Sequence, residues 1–384
     1  DSPFFSIVYP TKNRHFLIKY CLESMILQQF RDFELIIHDN STDSLTKQVV
    51  KKFLHDERIK YFKNIKSISM SENWELALSK TTGKFISVLT DKTILYLHAL
   101  KKVHFFLKDN DCEVVNWRDN SYFLVNEDVD SKKGYDRGVH GIKYKRTNPK
   151  KVNQKKELQR MFSQSQRRGT EEEKYFWGKI CFGVYKRDLI KRILEEEGNL
   201  FYGISPDYSS KIKALCYANS IYDIGDSLQL SFNTKISNGG NNERYASLAK
   251  NFILSYNKKN YFKKLPISFL YSSLHNIVAY DFKSSKKTKN YVLNKKNFLL
   301  RVKEDLFQIK YESNDERKAQ YNLFQREFKK LPINDRLSVN YHFIRFVFRQ
   351  KFINVKLMFA KKIKYKPKGK IYNNVINLLQ ENEI

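Results

Sequence analysis

The fold is decided by the stretch Phe5-Ser6-Ile7-Val8-Tyr9-Pro10-Thr11-Lys12-Asn13-Arg14, where an apolar run ends at a proline and polar residues follow. The run over 4–9 predicts a buried strand, because Pro10 has no N–H group with which to continue a sheet ladder. Residues 15–29 carry apolar side chains at helical spacing, which predicts a helix. The chain therefore opens with a strand, a polar turn and a helix.

The same alternation continues through the first hundred residues. Strands and helices are predicted in turn over 33–38, 44–54, 59–62, 71–81 and 85–89. Ser71 is the expected N-cap of the last helix, and Gly83 its expected C-cap. Strands that alternate with helices predict an α/β protein with a parallel, doubly wound sheet. Such a sheet binds ligands at the carboxyl ends of its strands.

The pattern after residue 110 is less regular. A strand, a mobile polar loop, a strand–helix unit, a helix and a strand pair are predicted over 113–125, 126–168, 176–194, 209–218 and 220–232. The turn signal Asn238-Gly239-Gly240-Asn241 marks a boundary, beyond which long amphipathic helical segments begin. We therefore predict two domains, 1–240 and 241–384, of which the second is basic and α-helical.

Charge is distributed unevenly along the 384 residues. The formal net charge is +30, from 71 basic and 41 acidic side chains, and residues 245–384 hold 30 of the basic and 10 of the acidic ones. A surplus of this size indicates a polyanionic partner, such as phosphate groups or an anionic membrane surface. The apolar share of 41% is too high for an intrinsically disordered chain.

Cysteine use and hydropathy bear on the compartment. The four cysteines lie far apart and form no CxxC pair, which fits a reducing cytoplasm. No run of about 18 apolar residues and no signal-peptide pattern is found, so neither a transmembrane helix nor a leader is expected. We therefore expect a cytoplasmic protein. If its basic C-terminal part binds the membrane, the protein would be a peripheral one at the inner face.

Five pieces of the sequence stand in a recognisable order. They are the opening stretch 5–14, the segment 22–37 with Gln28-Gln29-Phe30 and Phe33-Glu34-Leu35-Ile36-Ile37, the turn Asp39-Asn40-Ser41-Thr42-Asp43, the strand end Leu89-Thr90-Asp91, and Ser205-Pro206-Asp207-Tyr208. Together they resemble the family 2 glycosyltransferases, which have the Rossmann-like GT-A fold. The resemblance covers about residues 3–235.

This resemblance implies an activity. Members of the family are transferases that move a sugar from a nucleotide-sugar donor, with UDP the favoured nucleotide, to a glycan or lipid-linked acceptor. An inverting hexosyltransferase of bacterial capsule or lipopolysaccharide synthesis is the implied role. Two other classes stay open, namely a catalytically impaired sugar-binding subunit and a basic nucleic-acid-binding protein. The nucleic-acid class is disfavoured because no known binding module is found.

The resemblance also implies a donor site at the strand ends. Pro10 and Thr11 end the first strand and leave backbone groups for a base, and Asn13 follows them. Asp39 resembles the residue that contacts the nucleoside, although an Asx turn or a helix cap is the alternative for this aspartate. Asp91 resembles the aspartate on the ribose or diphosphate side. Two further candidates are Asn73, which could face the base, and Lys92.

Lys92 departs from the family pattern. The family has a second aspartate there, which holds Mg²⁺ or Mn²⁺ against the diphosphate, whereas an ammonium group is only a hydrogen-bond donor. In the first interpretation Lys92 itself supplies positive charge to the diphosphate, and no metal cofactor is needed. The alternatives are a degraded site and a solvated surface lysine.

Asp207 is the candidate catalytic base. Transfer with inversion needs one carboxylate that takes the proton of the acceptor hydroxyl as this hydroxyl attacks the anomeric carbon. The alternative is a carboxylate that only favours the start of the following helix. Four further candidates for sugar contacts are less specific. Trp117 and Asp119 are candidates for the donor sugar, and Trp177 and Tyr202 are candidates for stacking on an acceptor sugar, with core packing as the alternative.

The C-terminal part contains an apolar patch between arginines. Its members are Phe343, Ile344, Phe346, Val347, Phe348 and Phe352. A basic amphipathic helix of this composition fits an anionic membrane surface, where a lipid-linked acceptor would lie. The alternatives are a helix whose apolar face packs on the catalytic unit and a surface for an acidic polysaccharide.

Overall fold

The computed structural model describes residues 2–124, 137–165, 175–233, 244–256, 260–362 and 370–382, with the backbone alone for 353–362. The strands are β1 (Phe5–Thr11), β2 (Phe33–Asp39), β3 (Ile59–Lys63), β4 (Phe85–Val88), β5 (Thr93–Leu95), β6 (Val114–Leu124), β7 (Gly138–Gly141), β8 (Lys150–Lys151), β9 (Gly183–Lys186), β10 (Ile221–Asn233) and β11 (Ile371–Tyr372).

The helices cover most of the remaining described residues. They are α1 (His15–Ile26), α2 (Leu45–Lys51), α3 (Met70–Leu78), α4 (Ala99–Asp109), α5 (Gln154–Ser163), α6 (Arg187–Glu197), α7 (Pro206–Tyr217), α8 (Ala246–Leu254), α9 (Tyr261–Lys264), α10 (Leu274–Asp281), α11 (Lys295–Gln308), α12 (Asn314–Lys329), α13 (Ile333–Lys362) and α14 (Val375–Glu381).

One sheet organises the molecule, in the strand order β11-β7-β6-β9-β4-β1-β2-β3. Strand β1 pairs in parallel with β2 and β4, and β2 pairs in parallel with β3. Strand β9 is antiparallel to both β4 and β6, and β10 runs parallel to β6. The predicted α/β fold with a parallel, doubly wound central sheet is therefore confirmed, with antiparallel strands added on one side.

The central strands are buried on both faces, as expected for a parallel sheet covered by helices on either side. Along β1, Phe5, Ile7 and Tyr9 belong to one hydrophobic cluster with α1 and α4. Val8 points the other way, into a second cluster with α3, α6 and α7. This alternation of faces turns the continuous apolar run of β1 into the shared wall of two cores.

Two predicted caps are wrong. Helix α3 begins one residue after Ser69, whose side chain accepts from the N–H of Glu72 while Glu72 bonds back to Ser69, which forms a capping box. Ser71 instead donates to the carbonyl of Gly203 at 2.8 Å. Gly83 lies beyond the helix C-cap Ser79, at a point where a Cβ atom would come within 2.7 Å of the β1 backbone. It is needed for close approach, not for capping.

Two further predictions of local structure are corrected. Residues 220–232 form the single strand β10 and not a strand pair. Its pairing with β6 shifts register between Asp223 and Ser227, and Gly225 there has a φ of 75°, so one strand continues through an irregularity where a pair was predicted. The predicted loop 126–168 falls partly on undescribed residues, while its described part, 137–165, contains β7, β8 and α5.

The C-terminal part is largely helical, and it returns to the sheet. Residues of α8 and α10 join the second hydrophobic cluster, whereas α11, α12 and the start of α13 form a third one. Strand β11 pairs with β7, and α14 packs into the first cluster. The predicted boundary at 240 lies outside the described residues, and the division into two domains stays a prediction. Within the described residues, no helix is both long enough and apolar enough to cross a membrane.

Candidate active site

A cavity of about 590 Å³ opens at the carboxyl edge of the central sheet. Its wall is formed by residues that follow β1 and β4, by the strand β6, by the start of α7 and by the helices α8 and α10. Its polar and charged lining includes Arg14, Lys92, Asp119, Lys143, Ser205 and Asp207. The edge at which the sequence placed the site therefore does enclose a space for a ligand.

Asp91 is held beneath this cavity by Thr11, the last residue of β1, and by Arg14, which follows the strand. One of its carboxylate oxygens accepts from the hydroxyl of Thr11 at 2.9 Å, and the other accepts from the guanidinium of Arg14 at 2.8 Å. The side chains of Asp91 and Arg14 are 4% and 19% exposed, so the pair is largely buried. Arg14 belongs to the opening motif, yet sequence reasoning did not assign it to the site. A guanidinium that lines the cavity is suited to phosphate oxygens.

Lys92 lines the same cavity as Arg14. Burial lowers the pKa of Lys92, the nearby Arg14 cation lowers it further, and the carboxylates of Asp91 and Asp119 act in the opposite direction. Lys143 donates to Asp119 at 3.1 Å on the β6 side. The cavity region thus contains several cations, and its carboxylates Asp91 and Asp119 already accept hydrogen bonds from Arg14 and Lys143.

The residues present do not fit a resident divalent cation held by the protein alone. Mg²⁺ and Mn²⁺ prefer several oxygen ligands, whereas Asp91 bonds through both oxygens to Thr11 and Arg14 and is followed by Lys92. In the described part of the chain, no group of three or more His, Cys, Asp or Glu side chains is arranged to hold a metal.

Asp207 lies in the first turn of α7, directly after Pro206. Its carboxylate accepts from the ammonium of Lys179 at 2.8 Å, and its side chain is 26% exposed where it lines the cavity. Lys179 is fully buried and lies between the rings of Tyr175 and Tyr208, with its Nζ 3.7 and 3.9 Å from their centroids. Burial lowers the pKa of Lys179, but the Asp207 carboxylate, together with Tyr175, Tyr208 and Cys181, raises that pKa above its ordinary value.

The loop before Asp207 is fixed by a residue far along the chain. Asp281, at the end of α10, accepts from the backbone N–H groups of Ile204 at 3.1 Å and Ser205 at 2.6 Å. Gly203 has a φ of 71° there, and a Cβ atom on it would lie 1.7 Å from an Asp281 oxygen. Burial raises the pKa of Asp281 well above its ordinary value. Sequence reasoning missed this contact because no local motif marks it.

Asp39 does not line the cavity. Its side chain is fully buried, one oxygen accepts from the N–H of Ser41 at 2.8 Å, and the other accepts from Tyr61 at 2.7 Å and Lys63 at 3.1 Å. The first of these bonds is the Asx turn named above as the alternative. The carboxylate is therefore engaged inside the protein, and its role toward a nucleoside stays a prediction.

Pro10, Asn13 and Asn73 also lie outside the cavity lining. Pro10 is buried and faces His38 in the sheet register. Asn13 has a φ of 55° and accepts from the N–H of Thr42 at 2.9 Å, so it ties the loop after β1 to the loop after β2. Asn73 bonds to the ring of His38 at 2.9 Å. The structure thus brings Asp207 and Lys92 to one cavity, with Thr11 and Asp91 behind Arg14.

The aromatic residues predicted to contact sugars also lie outside the cavity lining. Trp117 is a core residue whose indole N–H donates to Gln229 at 2.7 Å. Trp177 donates to Asp223 at 3.0 Å, and the Tyr202 hydroxyl is 3.2 Å from that of Tyr280. None of these three lines the cavity, which instead presents Trp74, Tyr144, Tyr175 and Tyr208.

Comparisons with known proteins identify relatives of part of this chain. Curated relatives include the GalNAc(5)-diNAcBac-PP-undecaprenol beta-1,3-glucosyltransferase of Campylobacter jejuni, 35% identical over 101 residues, which are 26% of this chain and 32% of the relative. Protein CgeD of Bacillus subtilis is 30% identical over 105 residues, which are 26% of this chain and 25% of the relative. The chain thus matches only about a third or a quarter of the length of these relatives.

Solved structures that resemble the chain include S. aureus TarS 1-349 in complex with UDP-GlcNAc. The identity is 16%, the match covers 89% of this chain and 91% of that one, and the TM-score is 0.47. The family model for Glycosyl transferase family 2 matches residues 6–193, which span β1 to α6 and include Arg14, Asp91, Lys92 and Lys179. Over residues 6–193, which are just under half of its length, the chain therefore belongs to glycosyl transferase family 2.

Proposed function

We propose that the protein is an inverting glycosyltransferase that moves a hexosyl group from a nucleotide-sugar donor, a UDP-sugar, to a glycan or lipid-linked acceptor. The observation that carries the proposal is one cavity that holds both a half-buried carboxylate, Asp207, and two cations, Arg14 and Lys92. The carboxylate is suited to deprotonating an acceptor, and the cations are suited to a diphosphate leaving group.

The donor end of the cavity is cationic. Arg14 is anchored by Asp91, which fixes the direction of its guanidinium and leaves the group at the cavity wall. Lys92 adds a second positive charge beside it. Charge of this sign, held in place before the reaction begins, stabilises the negative charge that develops on the diphosphate. We therefore propose that Lys92 takes the place of the metal ion and that transfer needs no divalent cation.

In the proposal, the carboxylate of Asp207 marks the end of the cavity that receives the acceptor. In the proposed step Asp207 takes the proton of an acceptor hydroxyl, the hydroxyl oxygen forms a bond to the anomeric carbon, and the bond from that carbon to the diphosphate oxygen breaks. The diphosphate leaves with the electron pair and is stabilised by Arg14 and Lys92. The Lys179 ammonium and the helix N-terminus keep Asp207 ionised for this task.

One relative supports the proposed acceptor class. The Campylobacter jejuni protein is named as a beta-1,3-glucosyltransferase of GalNAc(5)-diNAcBac-PP-undecaprenol, and it shares 35% identity with this chain over the matched segment. We propose a lipid-linked acceptor of bacterial surface-glycan synthesis, in capsule or lipopolysaccharide, for this chain as well. A sugar-binding subunit without turnover is the second candidate, because Lys92 stands where the family has a metal-binding aspartate.

A thermal-shift panel tests the proposal. The protein is mixed with UDP-, GDP-, CMP- and TDP-sugars, each with Mg²⁺, with Mn²⁺ and with EDTA. A ligand at about 100 times its Kd stabilises the folded state by about 2.7 kcal/mol. We expect a shift with UDP-sugars that persists in EDTA, and release of UDP when an acceptor extract is added. No shift with any nucleotide would contradict the proposal, and a shift without turnover would favour the sugar-binding subunit.

A further inference from the structure

Helix α13 is a 30-residue helix whose faces have different surroundings. One face packs on the rest of the C-terminal part. Val339 is buried in the third hydrophobic cluster, and the rings of Phe343 and Phe346 lie 5.7 and 6.3 Å from that of Phe307 on α11. The sequence left open whether the apolar patch of this helix packs on the protein or is exposed. Phe343 and Phe346 are the members of the patch that pack against Phe307.

A second face of α13 is exposed. It carries six large apolar side chains that are each more than half exposed, namely Ile333 (65%), Leu337 (62%), Tyr341 (59%), Ile344 (53%), Phe348 (68%) and Phe352 (71%). Their spacing of four, four, three, four and four residues places them on one stripe about 100° wide, since each helical residue turns by about 100°. We refer to these six residues as the apolar stripe. A contiguous stripe of this kind is typical of a docking surface, unlike single exposed apolar residues.

The charges beside the apolar stripe have one sign. Arg345 and Lys351 border it on its two sides by the same helical geometry, and Arg349 lies one turn beyond Arg345; all three are exposed. Asp335, in the first turn, is the only acidic residue in the helix sequence. Arg345 lies 5.7 Å from the ring centroid of Tyr341, a member of the stripe. Apolar and cationic groups therefore alternate over the same exposed surface.

We propose that the apolar stripe docks the protein on an anionic membrane surface, with its apolar side chains in the acyl boundary and its bordering cations at the lipid phosphates. This combination favours a lipid interface because both groups find a partner there. A second copy of the same face would bring like charges together, and a nucleic acid would offer no comparable partner to the aliphatic Ile333, Leu337 and Ile344.

Vesicle co-sedimentation of the full chain tests this proposal without any donor, acceptor or activity. The vesicles contain either phosphatidylcholine alone or phosphatidylcholine with phosphatidylglycerol. We expect the protein to sediment with the anionic vesicles, to bind less at high salt, and to bind neutral vesicles weakly. The double variant Phe348→Ser/Phe352→Ser should bind anionic vesicles at least about tenfold more weakly, since two deeply inserting side chains are removed.

A matched control separates this effect from a general loss of surface hydrophobicity. Ile65 and Val292 are exposed by 101% and 83% and lie outside the stripe, so Ile65→Ser/Val292→Ser should sediment like the wild type. The variant Arg345→Gln/Arg349→Gln should lose salt-sensitive binding in particular. Equal binding of wild type and the Phe348/Phe352 variant would overturn the proposal. The proposal would also be overturned if the wild type were a stable dimer and the Phe348/Phe352 variant a monomer, because the stripe would then be a contact between two copies.

Discussion

The ammonium of Lys179 lies 2.8 Å from the carboxylate of Asp207, buried between two tyrosine rings, while the carboxylate itself reaches a solvent-accessible cavity. A buried cation is costly unless it is paired, so each member depends on the other. The pair joins a residue that precedes β9 to the first turn of α7. It places a positive charge beside the proposed base and fixes the direction of its carboxylate.

Replacement of Asp207 by Asn should abolish transfer and leave donor binding intact. The amide keeps the shape of the side chain but cannot accept the proton, and loss of a general base typically lowers kcat by about 10²- to 10⁴-fold. Sugar transfer is measured by release of the nucleoside diphosphate, and donor binding by thermal shift. Transfer near the wild-type rate would exclude Asp207 as the base.

Replacement of Lys179 by Met should move the acid limb of the pH–rate profile to higher pH. The Asp207 carboxylate raises the pKa of Lys179, and the attraction is mutual, so removal of the cation favours the protonated carboxyl form. A larger fraction of the base is then inactive at a given acidic pH. The profile of kcat against pH is measured for both proteins, and Lys179→Arg, which retains the charge, should keep the wild-type limb. An unshifted limb in the Met variant would mean that Lys179 has only a structural role.

The proposed role of Lys92 predicts a specific response to chelation. Wild-type turnover should be unchanged by EDTA, because Lys92 supplies the positive charge that a metal ion would provide. Lys92→Asp removes that charge and adds a repulsive one, so it should lose metal-free turnover. Activity of this variant is measured with EDTA and with added Mn²⁺. Full EDTA-resistant turnover in Lys92→Asp would contradict the proposal.

Asp281 should make folding stability depend on pH. Its pKa is raised by burial, so the folded state holds the proton more tightly than the unfolded chain does. The stabilisation is therefore fully present below the ordinary carboxyl pKa of about 3.9, and it is lost as the pH rises through the raised pKa. Asp281→Asn lacks this titration and leaves one of two backbone N–H groups without an acceptor, at a cost of about 1–3 kcal/mol.

The measurement for Asp281 is the thermal midpoint of both proteins over a pH series. The deficit of the Asn variant should be largest at acidic pH and should shrink as the pH rises. Asn294→Ala, at the N-cap of α11, is a suitable comparison because it removes a cap that is formed with the N–H of Asn297 and not with a titrating side chain. A deficit that is constant with pH would show that Asp281 does not titrate between the folded and unfolded states.

Much of the N-terminal half could be predicted because its signals are local. The apolar run of β1, its end at Pro10 and the helical spacing after His15 are properties of neighbouring residues, and the structure has strand and helix in those places. The caps of α3 were less accessible, since Ser69 and Ser71 are equally good by residue type. Which of them caps the helix depends on Glu72 and on the contact of Ser71 with Gly203.

Sequence alone was enough for the order of strands and helices as far as β4, for the resemblance to family 2 glycosyltransferases, and for the two motifs at strand and helix ends that contain Lys92 and Asp207. These depend on periodicity and on short motifs, both of which survive without knowledge of the fold. Only the tertiary structure decided that Lys179 pairs with Asp207, that Asp281 holds the loop before it, that Asp39 faces inward and which stripe of α13 is exposed. The physical reason is that burial and pairing depend on residues distant in sequence, which the sheet and its helices bring together.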